Sequence, residues 1–288
     1  CWVCLAIGGS INMISKVAKK GDALEGSVGA GTDNYQRITL DGNKDFGNGI
    51  AARIAVLGHQ NEKAGQTDGA EYKRAGIAPS ITFGLDTATR ATLSYYYLKS
   101  DDTPDSGVPY WNSADNTATG KPLNAKQGIY YGWLDRDFQK QENQSGAIKL
   151  EHDITENITL RNMAVYNKSD NNYLWTQPDD SQKNIANGEV WRRVNTNLTS
   201  TDSFTDQLSL AGKLNTGSLK HSFNVGAEYS KQESDRGTNI VTDPNTSNIG
   251  GSGATNSCSL ANSNGWCTDA YNPNAKDAWL GNVTANPN

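Results

Sequence analysis

Short and long connections alternate strictly along this chain, and that alternation limits its architecture more than any single motif does. Short turns fall at 46–49, 86–90, 154–157 and 215–218. Longer connections fall between them at 61–71, 103–140, 170–190 and 235–288. The segments they join have the period-two pattern of strands, and Asn48-Gly49 is a strong tight-hairpin signal. An up-and-down sheet stitched by tight turns at one end and by long loops at the other produces this order. A Greek-key sandwich has no reason to keep it. The strands are also long, often about ten residues or more, against a mode of about 5–6 in soluble sheets.

Each strand has one apolar and one polar face. Ile38 and Leu40 oppose Arg37, Thr39 and Asp41. Ala75, Ile77, Pro79, Ile81 and Phe83 share a face, as do Leu219, Phe223, Val225, Ala227 and Tyr229. A secreted soluble sandwich would also be two-faced. The polar faces here carry Arg37, Arg53, Arg74, Lys149, Glu151, Arg161 and Glu228 at mid-strand, as a wet lumen would. Mean hydropathy is −0.66, and no run approaches the ~18 apolar residues of a membrane helix. A transmembrane barrel has just such a low average, because lipid-facing and lumen-facing residues alternate. The predicted fold is all-β: an antiparallel transmembrane β-barrel architecture, with about nine strands along this chain.

Composition removes other classes. The 288 residues carry a formal charge of −5, against the basic face a nucleic-acid binder needs. Cys1 and Cys4 form a CxxC with no second pair at zinc spacing and read as inert. Cys258 and Cys267 flank a polar loop and are expected to form a local disulfide, which suits an oxidising compartment. His59, His152 and His221 lie in separate strands without partners at ligand spacing. The stretch 41–52 imitates a calcium loop, but Phe46 stands where Gly is required and Ala52 where Glu is required. The Gly-rich stretch near 26–31 precedes no helix, so no nucleotide site is expected. The chain is read as no enzyme, with no cofactor and no resident metal.

The stretch GGSINMISK (Gly8 to Lys16) resembles the last plug strand of TonB-dependent outer-membrane receptors, where a Gly-Gly-x-Ile-Asn motif precedes a short basic linker. Lys16, Lys19 and Lys20 supply that linker. Residues 24–63 look like the first barrel strands of the siderophore-receptor branch. Residues 103–112 (TPDSGVPYWN) and 130–143 (YYGWLDRDFQKQEN) resemble its loop segments, and 272–284 looks like the end of a large extracellular loop. Catecholate receptors are the nearest subgroup. The resemblance implies a plug remnant and linker over 1–20 and a barrel portion over 21–288. It implies a bacterial outer-membrane location and a role in binding and importing a ferric siderophore, whose iron stays ligated by the siderophore. Outer-membrane lipid and the TonB energy-coupling complex are the implied partners. A passive porin or adhesin-like barrel, or a secreted glycan-binding β-protein, is the alternative, and neither would need the plug-closing motif.

Two departures go with the resemblance. CWVCLAI stands where a Gly/Ser-rich stretch is usual, so a truncation or shifted frame upstream of Gly8 is expected. The chain also stops inside a loop, whereas the family barrel closes with about 22 strands. It reads as a fragment that lacks the energy-coupling segment.

A ferric catecholate is an anion with flat aromatic rings, for which arginine and π faces are suited. The ligand-binding candidates are Tyr110, Trp111, Tyr130, Tyr131, Trp133 and Arg136, with Trp175, Arg192 and Arg193 behind them. The competing reading for aromatic residues is a membrane-interface girdle. Tyr95, Tyr96 and Tyr97 are expected there, at a strand end.

Overall fold

The computed structural model describes residues 14–66, 68–111, 120–242, 257–258 and 266–287. Cys1, Cys4 and the Gly-Gly motif as far as Met13 lie outside the described residues. Nine long strands make an up-and-down antiparallel meander: β1 (Ala23–Ala30), β2 (Gln36–Gly47), β3 (Ile50–Glu62), β4 (Glu71–Phe83), β5 (Thr89–Thr103), β8 (Phe138–Thr155), β9 (Ile158–Asp179), β10 (Glu189–Thr216) and β11 (Leu219–Thr242). Between β5 and β8 a small hairpin is formed by β6 (Tyr110–Trp111) and β7 (Lys121–Pro122). After β11, β12 (Cys267–Asp269) adds to β10 and β13 (Asn282–Asn286) adds to β11.

The four expected tight turns are all present. Asn48 and Gly49 both have positive φ (53° and 75°), as a two-residue hairpin of this hand requires. The long connections are shorter than the sequence suggests. The expected loop over 170–190 shrinks to 180–188, because β9 runs on to Asp179 and β10 starts at Glu189. Likewise β11 extends to Thr242. In these extensions Leu174, Val190 and Trp191 are buried at the long-loop end among polar neighbours, so the period-two apolar signal fades while the backbone ladder continues.

Strand register fixes which side chains share a face. Leu93, Ile148, Ala164, Asp206 and Tyr229 form one cross-strand row, and Leu150, Asn162, Leu208 and Ala227 the next. This outward face holds most of the exposed large apolar side chains, among them Leu24, Ile38, Phe83, Leu208 and Val225. Along β10 it runs from Phe204 to Leu214. Ten residues at about 3.3 Å each give roughly 33 Å, or about 25 Å after a tilt of about 40°, the height of a membrane band. One polar pair interrupts it near its upper edge, where the Asn162 amide donates to Asp206 (2.7 Å).

The girdle expectation needs correcting in two respects. Tyr95, Tyr96 and Tyr97 sit inside β5 rather than at its end. Tyr95 and Tyr97 share the outward parity of Leu93, while Tyr96 has the inward parity of Thr92. Tyr95, Tyr166 and Phe204 then lie in one row at the upper edge of the apolar band, joined through Gly146.

The opposite face is polar and internally paired. Arg53 makes a two-pronged contact with Asp41 (2.7 and 2.6 Å), and Glu151 accepts both Lys149 and Arg161. Residues 16–22 lie against this face at the tight-turn end. Ala18 is buried; its N–H donates to Ser80 Oγ (2.8 Å) and its carbonyl accepts from Thr82 Oγ1 (2.9 Å). Asn43 accepts from the Lys19 N–H (3.0 Å) and donates to the carbonyls of Lys19 (2.8 Å) and Gly21 (2.6 Å). Asp45 accepts from Gly21, and Lys20 pairs with Asp86 in the turn after β4. Side chains of the wall therefore saturate a segment that has no strand partner of its own.

Asn43→Ala removes three of those contacts and leaves the Lys19 N–H unpaired. Amide exchange at Lys19 is expected to speed up at least about tenfold, the scale of one buried hydrogen bond of about 1–3 kcal/mol. Unchanged protection there would show that the wall does not hold this segment.

Candidate functional site

The largest buried side chains are at the long-loop end rather than between the sheet's faces: Trp133, Trp266, Arg192, Tyr131, Leu174, Val190 and Pro109. Two apolar clusters lie there. One joins Leu123, Tyr131, Ile185, Val190 and Ala270; the other joins Ala70, Tyr130 and Ala275. Each draws residues from at least two separate connections, so the loops share a core of their own.

Residues 130–137 hold that core together. Tyr130 Oη donates to the Pro104 carbonyl (3.1 Å), and Tyr131 Oη to the Ala270 carbonyl (2.6 Å). Trp133 Nε1 donates to the Asp277 carbonyl (2.5 Å). Arg136 reaches Thr176 Oγ1 in β9 (2.6 Å) and the Arg192 carbonyl in β10 (3.3 Å). Asp137 accepts from the backbone N–H groups of Trp133 (3.1 Å) and Thr176 (2.9 Å). Four of the seven tryptophans meet at this point. The Arg136 guanidinium lies 5.0, 5.1 and 5.7 Å from the ring centres of Trp133, Trp266 and Trp279, inside an aromatic cage. Trp191 stacks on Trp266 at 5.6 Å. Arg192, 0% exposed, sits 4.8 Å from the Trp133 ring and pairs with Asp277 (2.7 Å).

Burial shows in the electrostatics. Loss of water pushes the Arg192 pKa down, against the pull of Asp277. It raises the Tyr130 phenol strongly and the Tyr131 phenol to about 12. The same region contains the expected disulfide: Cys258 and Cys267 are joined, and the Cys258 N–H donates to Asn184 (2.9 Å). Among the described residues no group of three or more His, Cys, Asp and Glu side chains could hold a metal.

The six ligand-binding candidates separate into two sets. Tyr130, Tyr131, Trp133 and Arg136 are buried and converge on one cluster. Their rings and charge are largely occupied by protein, so they offer a ligand little open surface in this conformation. Tyr110 is 56% exposed, and Trp111 beside it packs half-buried on the first apolar cluster with Lys121 over its ring. Arg192 belongs with the buried set, Arg193 is exposed, and Trp175 stacks on Tyr173. Sequence reasoning passed over Trp191, Trp266, Trp279 and Asp277. The available signal was tryptophan itself, a residue seldom spent on polar loops unless they pack.

Comparison with known proteins completes the picture. No family model matches the sequence. The probable TonB-dependent siderophore receptor PiuA of Acinetobacter baumannii is 67% identical over 271 residues, covering 94% of this chain and 36% of that protein. The chain belongs to the TonB-dependent receptor family. The catecholate siderophore receptor Fiu of Escherichia coli K12 is 32% identical over 251 residues, covering 82% of this chain and 33% of Fiu. The crystal structure of Acinetobacter baumannii PiuA superposes with a TM-score of 0.90 at 65% identity, over 98% of this chain and 40% of that one. The chain thus spans about a third of the length of these receptors, and its meander is a portion of their outer-membrane barrel.

The Tyr131 phenol gives the receptor's loop core a pH limit. An ordinary tyrosine ionises near 10, and here the folded group holds its proton to about 12. Stability from the neutral phenol is therefore complete below pH 10 and lost as pH rises from 10 to 12. Tryptophan emission is expected to shift to the red across that interval. Tyr131→Phe, which has no proton to lose, should abolish this component; an unaltered shift would exclude Tyr131 as its source.

Proposed function

We propose that the receptor containing this chain captures a ferric siderophore at the cell surface and imports it through a plugged outer-membrane barrel by TonB-coupled transport. The likeness to PiuA carries this reading, since 67% identity extends over both strands and loops. The likeness to Fiu, a catecholate siderophore receptor, supports a catecholate as the ligand class. Residues 1–20 would end the plug and lead into the barrel, and 21–288 would belong to the barrel. A wall-held segment at 16–22 fits that division. Iron would travel inside the siderophore, bound noncovalently by the protein, with no bond made or broken.

The loop cluster suggests how the candidates divide this work. Tyr110 and Trp111, at the more open hairpin, would meet the ligand. Tyr130, Tyr131, Trp133 and Arg136 would hold the loops in the shape that receives it. The relatives compared are named as receptors, which favours transport over catalysis.

Uptake of radioactive iron supplied as ferric 2,3-dihydroxybenzoate tests the reading. Deleting the gene should abolish the energy-dependent component, and the intact gene should restore it. Tyr110→Ala with Trp111→Ala should lower uptake several-fold. Uptake that depends on the gene but survives collapse of the membrane potential would favour a passive barrel.

A further inference from the structure

A pocket of about 300 Å³ opens among three of the connections, beside the cluster already described. Its walls come from the β3–β4 connection (Gly65, Asp68), from Lys126 to Tyr130 ahead of β8, and from Tyr271 to Lys276 after β12. A glycine contact sets its floor. Gly128 has a φ of +81°, and a Cβ added there would lie 1.9 Å from the Gly65 carbonyl oxygen, so no other residue lets these loops meet. Gln66 braces the same seam, donating to Asp105 (2.8 Å) and the Ile129 carbonyl (3.2 Å). The pocket is therefore built on fixed backbone.

Its chemistry is cationic and aromatic. Lys276 pairs with Asp68 (2.7 Å), both at least half exposed. Lys126 has no ion-pair partner among the described residues, which leaves a net positive charge on the rim. Tyr271 lines the pocket and is 56% exposed, so its side chain is accessible there. The volume is at the lower end for ligand pockets, about 300–1,000 Å³. It suits one substituted ring better than a whole ferric complex. Asp68 disfavours a compact multiply charged group such as phosphate, and a ring with one or two acidic oxygens fits better.

We propose that this pocket seats one anionic aromatic arm of the ligand, its oxygens against Lys126 and Lys276 and its ring beside Tyr271. This assignment rests on the siderophore-receptor reading and deepens it.

Equilibrium dialysis of the purified full-length receptor against ferric 2,3-dihydroxybenzoate tests it. Lys126→Gln with Lys276→Gln should weaken binding about tenfold. Lys126→Arg with Lys276→Arg should stay within about twofold, because the charge remains. Free 2,3-dihydroxybenzoate should protect Lys126 from an amine-acylating reagent in the wild type, and inorganic phosphate should not. That second readout needs no variant to fold. Equal binding by the Gln variant, or acylation unaffected by the catechol, overturns the pocket while wild-type binding leaves the receptor reading in place. A wild type that binds neither a ferric catecholate nor a ferric hydroxamate overturns both.

Discussion

Hydrocarbon offers a backbone amide no hydrogen-bond partner, and the whole molecule follows from that. Each N–H and C=O within the band must be paired by a neighbouring strand. Once the ladder is fixed, the pleat sends alternate side chains to opposite sides, with no freedom left for any one residue. Leu208 faces out because Gln207 and Ser209 face in, and Arg161, across the ladder from Ser209, is on the wet side with them. The packing consequently inverts that of a soluble domain. Apolar residues lie exposed on the strands, while the dense buried core sits among the loops.

That loop core contains charge, and magnitudes indicate what the charge does there. Burying a guanidinium costs several kcal/mol. Cation–π contacts return about 0.5–2 kcal/mol each, and Asp137 and Asp277 offset part of the remainder. The sum is close to balance, so the Arg–Trp cluster contributes little net stability. Its geometric contribution is larger. One guanidinium, Arg136, touches β9, β10 and three rings, and no aliphatic side chain could meet so many directions at once. Removing it would leave buried polar groups unsatisfied in three segments.

Much of this was legible in the residues, and the exceptions have physical causes. The turns at Asn48-Gly49 and around 215–218 announced themselves by composition, and the wet face of Arg161 and Glu228 followed from parity, whereas Asp206 on the outward face was not foreseen. The extensions of β9 and β10 did not, since their apolar residues Leu174, Val190 and Trp191 pack into the loop core instead of alternating toward lipid. The disulfide between Cys258 and Cys267 was readable from two cysteines that flank a short sequence rich in Asn and Ser. The roles of Tyr131 and Trp133 were not. An aromatic residue in a loop motif can serve a ligand or a core equally well, and only the partners at Ala270 and Asp277, well over a hundred positions away, decide between them.

The central claim is the two-sided wall, and a cysteine scan along β10 of the full-length receptor in its membrane tests it most directly. With one cysteine at a time from Ser203 to Leu214, each carrying an environment-sensitive fluorophore, quenching by brominated lipid should peak at the even positions from 204 to 214. Quenching by an aqueous agent should peak at the odd positions between them. A profile without a two-residue period, or equal access from water at every position, would contradict the account.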